Sequence, residues 1–336
     1  MLRAGSFTGF TVALREPGIA WIEFNTPERM NGMTAAIKRD LIETVTQATM
    51  DNQVRVLVFT GTGRAFSGGD DISGQVKSVG GDALLPPIQP GHDTGIGTYD
   101  GLRIISQALN LAVRNCDKLS IAAINGVAIQ TGFSLALACD FRIAADTARL
   151  GSATLRFGLL PDEGGQYLLV QLMGVARTMD FLMRKRIVTA NEALQLGLVH
   201  EVVPLADLAA HALALATELA NGPTVSMRLL KRSIYNAWEM PLEHSLDEIA
   251  AKTAISDHHA DAREGVAAWR DKRAPKFNRW LETAPQSAAV AANTSAQARS
   301  QGVQDAIAKL RAEIDRAGLS TQVLSQLEQQ LLRQIS

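Results

Sequence analysis

The chain has 336 residues, 46% of them hydrophobic, with 33 basic against 34 acidic side chains. That length and apolar content support a substantial core, enough for one main domain and an appendage. A net charge of -1 excludes a broad field for nucleic acid or an anionic membrane, so any anionic ligand must be held locally.

Cys116 and Cys139 are the only cysteines and lack metal-ligand or disulfide-framework spacing, so no metal is expected and a cytoplasmic setting is simplest. Met1 to Phe10 shows no basic stretch followed by an apolar one, and no window offers eighteen uninterrupted apolar residues. Neither secretion nor membrane insertion is expected.

Apolar and β-branched residues alternate from Phe7 to Phe24 on both sides of Glu16-Pro17-Gly18, which predicts a hairpin. Ile37, Leu41, Ile42 and Val45 recur at helical spacing within Thr34 to Met50, and Val54 to Thr60 is a short β-branched run. That strand leads into Gly61 to Asp71 and then a long Gly- and Pro-bearing stretch to about Thr98, a loop length associated with function or mobility. A helix is expected around Tyr99 to Asn115 and a buried strand at Leu119 to Ile124. A Gly-bearing turn then leads into Phe133 to Ala138, followed by a strand at Phe141 to Ala145. Repeated strand and helix units of this kind favour an α/β core.

From Gly165 to about Lys276 the pattern is mostly helical, with Thr189 and Ser226 as helix starts and a short strand at Val199 to Val203. A helical cap is expected from about residue 204. Residues 285–302 are rich in Ala, Ser, Gln and Thr and read as a linker after a domain of residues 1–284. Beyond it, apolar stripes at Val303, Ile307, Leu310, Ile314 and at Leu324, Leu327, Leu331, Ile335 predict a helical hairpin in 303–336, suited to self-association or to docking a protein partner.

Gly61 and Gly63 follow a strand, but the third position of a dinucleotide fingerprint is Phe66, which excludes that reading. The loop Ala65-Phe66-Ser67-Gly68-Gly69-Asp70-Asp71, the segment Ile124 to Gly132, the run Ala138-Cys139-Asp140-Phe141-Arg142 and the later Phe157 to Gly165 together resemble the crotonase superfamily, the enoyl-CoA hydratases and isomerases. The resemblance spans roughly Phe7 to Lys276. It implies an α/β spiral of ββα units with a helical C-terminal region, assembly as a homotrimer or hexamer, and an acyl-CoA substrate with no cofactor beyond its CoA moiety.

The resemblance further implies that a thioester oxygen rests between two backbone N–H groups, which match Gly68 and Thr131. Fixed donors of this kind favour the enolate over the ground state. Ala65, Ser67, Gly69, Asp70 and Ile72 match the loop that wraps CoA in the family, although Asp70 or Asp71 can equally serve as a structural cap. Where family hydratases carry two glutamates, this chain has Ser134 and Thr154. Hydroxyls titrate too far from neutrality to replace a carboxylate pair, so ordinary hydration loses support.

Asp162 matches a position where some family isomerases carry an acid. Beside apolar Phe157, Leu159 and Leu160 its pKa can rise, which suits a single-proton shuttle. It can also simply cap the following helix. Glu163 and His92 are weaker competitors, and Arg184, Lys185 and Arg186 read as a solvated face. The leading expectation is an enoyl-CoA isomerase acting through Asp162, against a hydratase or acyl-CoA hydrolase of the same family and against a non-catalytic acyl-CoA binder.

Overall fold

The computed structural model describes residues 1–71, 83–85 and 94–283. Ile72, His92, the middle of the long loop and the expected linker and tail hairpin lie outside the described residues. One compact unit spans Met1–Leu281.

Seven strands build the larger sheet: β1 (Gly5–Phe7), β2 (Phe10–Arg15), β3 (Ile19–Phe24), β4 (Val56–Gly61), β6 (Leu119–Ile124), β8 (Phe141–Ala145) and β11 (Glu201–Val203), in the order β1-β2-β3-β4-β6-β8-β11. A smaller sheet runs β10 (Ile187–Thr189), β9 (Arg149–Gly151), β7 (Val127–Ile129), β5 (Ala65–Ser67). The expected hairpin is the antiparallel β2/β3 pair, with Arg15 opposite Ile19. From β3 through β4, β6, β8 and β11 the larger sheet is parallel.

Three consecutive strand pairs, β4/β5, β6/β7 and β8/β9, each place their first member in the larger sheet and their second in the smaller one. This is the winding of a ββα spiral. The three-residue strands β5, β7 and β9 were absent from the sequence reading because so few residues cannot display a period.

The strands of the larger sheet read as unbroken apolar runs because both faces are covered. Ala20, Ile22, Leu57, Phe59, Ala122 and Ile124 face the main core, while their alternates Ile19, Trp21, Val56, Val58, Ile121 and Ala123 face a second one. That second core is closed by Leu208, Ala212, Ala216 and Ala220, a four-residue stripe on one helix. Small side chains at that spacing let the helix lie close against the sheet.

The α-helices in chain order are α1 (Ala35–Met50), α2 (Gly95–Gly101), α3 (Gln107–Asn115), α4 (Thr131–Ala138), α5 (Gly165–Met183), α6 (Ala190–Gln195), α7 (Leu208–Ala220), α8 (Thr224–Ala237), α9 (Leu242–Asp257), α10 (Ala260–Arg270) and α11 (Trp280–Thr283). α2 continues into α3 through the π-helical turn Leu102–Ser106. Thr34 caps α1 by accepting from the Ile37 N–H at 3.2 Å, and Thr189 caps α6 in the same way from Glu192. Ser226 does not start a helix: α8 begins at Thr224, and the Ser226 hydroxyl instead meets that of Ser256 at 2.7 Å. Among the described residues, the helical region after residue 204 comprises α7 through α11.

Candidate active site

The chain leaves the ends of the parallel neighbours β5 and β7 through two loops, Gly68–Asp71 and Gln130–Thr131. The loops approach too closely for side chains at two positions. A Cβ on Gly132 would lie 2.5 Å from the Ser67 carbonyl oxygen, and one on Gly69, already at φ +103°, would lie 2.7 Å from Gln130 Oε1. Gln130 itself holds a positive φ of 51° at the N-terminus of α4, a backbone strain found where surrounding contacts over-determine the chain.

The first loop is also stitched to the segment before α1. Met33 N–H donates to the Gly69 carbonyl at 2.9 Å and Asp71 N–H to the Met33 carbonyl at 3.1 Å. Gly68 N–H donates to the Met30 carbonyl at 2.7 Å, which occupies the donor expected to face an oxyanion. Neither the Asp70 nor the Thr131 N–H donates to another described backbone group outside the regular elements. Thr131 opens α4, so its N–H is one of the four a helix start leaves unsatisfied.

Both loops border a cavity of about 450 Å³. Gly68, Asp70, Thr131, Ser134, Thr154, Asp162 and Glu163 all line it, so the structure brings together most of the residues singled out in the sequence. Ala65 and Ser67 are buried in β5, with the Ala65 carbonyl accepting from the side-chain amides of Asn31 and Asn125. Their side chains support the loop, and a ligand could meet only backbone there. Ser134 and Thr154 are buried in the cavity wall, and the Thr154 hydroxyl pairs with that of Ser152 at 3.0 Å.

Asp162 and Glu163 are neighbours with opposite surroundings. Asp162 is exposed at the cavity, with no ion pair among the described residues. Partial desolvation raises its pKa, with the Asp70 charge adding to the rise and Lys38 opposing it. Phe157, Leu159 and Leu160 line the same wall but are 65%, 59% and 68% exposed, so the apolar enclosure expected around Asp162 is incomplete. Asp162 does not cap α5: Gly164 occupies that position, without a side-chain cap.

Glu163 is buried, and Lys38 reaches its Oε1 at 2.7 Å. Burial raises the Glu163 pKa, the ammonium of Lys38 works against that rise, and Asp70 adds to it. Its Oε2 is buried without a hydrogen-bond partner among the described residues. The same Lys38 Nζ lies 2.7 Å from Asp70 Oδ1 and donates to Ser106 Oγ at 2.6 Å. Burial alone would lower the Lys38 pKa, but Glu163 and then Asp70 carry it above the usual lysine value. The Thr131 hydroxyl in turn donates to Asp70 Oδ1. Asp70 is therefore a bridge between loops, not the structural cap that its sequence context equally allowed.

Lys38 had no place in the sequence reading, since a helical lysine is ordinarily solvated. A signal was present: Lys38, Leu41 and Val45 share one face of α1, so the lysine stands in the buried stripe.

Known proteins resemble this chain in sequence and in fold. The family pattern described as enoyl-CoA hydratase/isomerase matches residues 15–86 and 88–280. The chain is 34% identical over 271 residues to the 1,2-epoxyphenylacetyl-CoA isomerase of Escherichia coli, covering 80% of this chain and 98% of that one. It is 35% identical over 260 residues to a probable enoyl-CoA hydratase of Rhodobacter capsulatus, covering 77% and 94%. Among solved structures, the enoyl-CoA hydratase from Bacillus anthracis superposes with a TM-score of 0.72 at 28% identity, covering 80% of this chain and 98% of that one.

Proposed function

The chain belongs to the enoyl-CoA hydratase/isomerase family and to its crotonase-type acyl-CoA-processing enzymes, and from that premise we propose that it is an enoyl-CoA isomerase using Asp162 as a proton shuttle. The supporting observation is the make-up of the cavity wall. Asp162 stands there without a cationic partner among the described residues, while the two places of the hydratase glutamates hold Ser134 and Thr154.

In the proposed reaction a 3-enoyl thioester lies with its carbonyl at the N–H groups of Asp70 and Thr131. The ionised Asp162 takes a C2 proton, and the electron pair moves onto the thioester oxygen as a dienolate. The two N–H groups and the positive end of α4 stabilise that charge as it grows. The protonated Asp162 then returns the proton at C4, and the conjugated 2-enoyl thioester is formed. One carboxylate suffices because nothing is added or lost. The Asp70 N–H takes the role expected of Gly68, whose donor is engaged with Met30. Asp70, with Gly69 and the backbone of Ala65 and Ser67, is also assigned to the CoA portion.

A hydratase reading is favoured by the name of the Rhodobacter capsulatus relative and opposed by the lost glutamate pair. Incubating the protein with panels of 2-enoyl-CoA and 3-enoyl-CoA, and resolving double-bond shift, hydration and free CoA, separates the readings. The isomerase proposal expects double-bond shift alone. Hydration at ordinary enzymatic rates would replace it, and release of free CoA would support a hydrolase. A cytoplasmic location and a trimeric or hexameric assembly accompany the proposal, and mass in solution tests the latter.

A further inference from the structure

The ionised cluster beside the cavity has an electrostatic problem at its centre. A site that stabilises an enolate gathers positive potential, yet here the residue carrying one proposed donor, Asp70, is itself a carboxylate. Its side chain is 46% exposed, so water screens part of that charge. The rest acts against an anion forming a few ångströms away.

The groups facing this carboxylate are few. Lys38 reaches it from α1 and Thr131 from α4; Glu163 and Asp162 stand on the segment before α5, and Ser106 anchors the ammonium from the π-helical turn. Asn110 on α3 holds the Glu163 carbonyl at 2.8 Å, which fixes that segment. Lys38 is the sole cation within bonding distance of Asp70 among the described residues. With its side chain 3% exposed, its charge is hardly screened.

We propose that Lys38 is the electrostatic positioning residue of this site: its buried ammonium offsets the charge on Asp70 and fixes Asp70 relative to Glu163, so that the backbone donors of Asp70 and Thr131 meet the enolate against less opposing charge. The inference rests on the enolate-stabilising reading given above. The one ammonium lies 2.7 Å from Asp70 Oδ1 and 2.7 Å from Glu163 Oε1, so it offsets carboxylate charge on both sides. Without Lys38, the wall beside the donors carries a net negative charge. Lys38 touches no reacting atom; it acts through Asp70 and through the geometry of the two loops.

The test uses acetoacetyl-CoA, a thioester whose enolate absorbs in the ultraviolet, titrated onto the full chain, so that no turnover is required. The wild-type protein is expected to increase the enolate fraction of the bound ligand. Lys38→Met should lower the ratio of enolate to keto form at least about tenfold, one unit of ligand pKa. Adding Asp70→Asn should restore it to within about threefold, because the neutral amide no longer needs the ammonium. Lys38→Arg should keep most of the effect. A merely structural lysine would not be rescued by removing a carboxylate.

Should Lys38→Met fail to fold, Asp70→Asn alone decides, since it removes the carboxylate beside the donors while Lys38 stays paired with Glu163, and it should raise the enolate fraction. A tenfold fall in Asp70→Asn, or an unchanged fraction in folded Lys38→Met, overturns the role of Lys38. No enolate on the wild-type protein overturns the oxyanion reading itself and this inference with it.

Discussion

The Thr131 hydroxyl donates to the Asp70 carboxylate, joining two loops that are 61 positions apart in sequence. Each of these residues also contributes a backbone N–H proposed for the enolate. Thr131→Val keeps that N–H and the branched side chain but removes the hydroxyl. Hydrogen bonds to a charged group contribute about 1.5–3 kcal/mol. The enolate-forming step is therefore expected to slow about tenfold or more, with acyl-CoA affinity within about twofold of wild type. Single-turnover kinetics with equilibrium binding separates the two quantities, and an equal loss in both would contradict the assignment.

Asp162→Asn removes the proposed proton acceptor while preserving size. Positioned acid–base groups contribute roughly 10²- to 10⁴-fold, so isomerisation should fall by that amount with little change in CoA binding. Isomerisation that survives the substitution would take Asp162 out of the reaction.

The pH profile follows from the same carboxylate. In the proposed reaction Asp162 must be ionised to accept the C2 proton, and partial desolvation raises its pKa above the usual aspartate value. The rate should therefore fall as pH drops through that raised value, with the acidic limb displaced upward from 3.8. A rate profile of kcat/KM from pH 4 to 8 checks this, and the residual activity of Asp162→Asn should lack the limb.

Glu163 links stability to pH in the opposite sense from an exposed ion pair. Burial raises its folded pKa above the unfolded value near 4.5, so its contribution is full below that pH and is lost as pH rises through the folded value. Glu163→Gln has no such loss. The Tm of the variant minus that of wild type should increase from pH 4.5 upward, as followed by circular dichroism in a pH series. A difference that stays flat or shrinks would show that Lys38 outweighs desolvation.

Two glycines distinguish a required absence of side chain from an incidental one. Gly132→Ala would put a methyl 2.5 Å from the Ser67 carbonyl oxygen and 2.6 Å from its Cβ, both held by the β5/β7 pairing. Overpacking of this kind costs about 1–3 kcal/mol or more. Gly95→Ala meets nothing within 4 Å, and in a first helical turn it should be neutral or stabilising by up to about 1 kcal/mol. Urea unfolding of the two variants gives the comparison.

Much of the fold was legible locally. The alternation in β2 and β3, the stripe of α1 and the apolar runs of β4, β6 and β8 appear in the sequence because each reports its own burial through a period. The short strands β5, β7 and β9 were not legible, since three residues carry no period, and they are the strands that set the two site loops side by side. The start of α8 was misread at Ser226 for a similar reason: a hydroxyl residue can cap a helix, but here it packs against α9.

Loop composition, the family motifs and the presence of hydroxyls, not carboxylates, at Ser134 and Thr154 belong to the sequence by itself, because residue identity at a position needs no coordinates. Tertiary structure alone decided which donors are free and which charges are paired. The Gly68 N–H is occupied by the Met30 carbonyl, 38 positions away, and Lys38 meets Glu163 across 125 positions. Hydrogen bonds and ion pairs form between atoms within a few ångströms, and only the winding of the chain brings such distant residues that close.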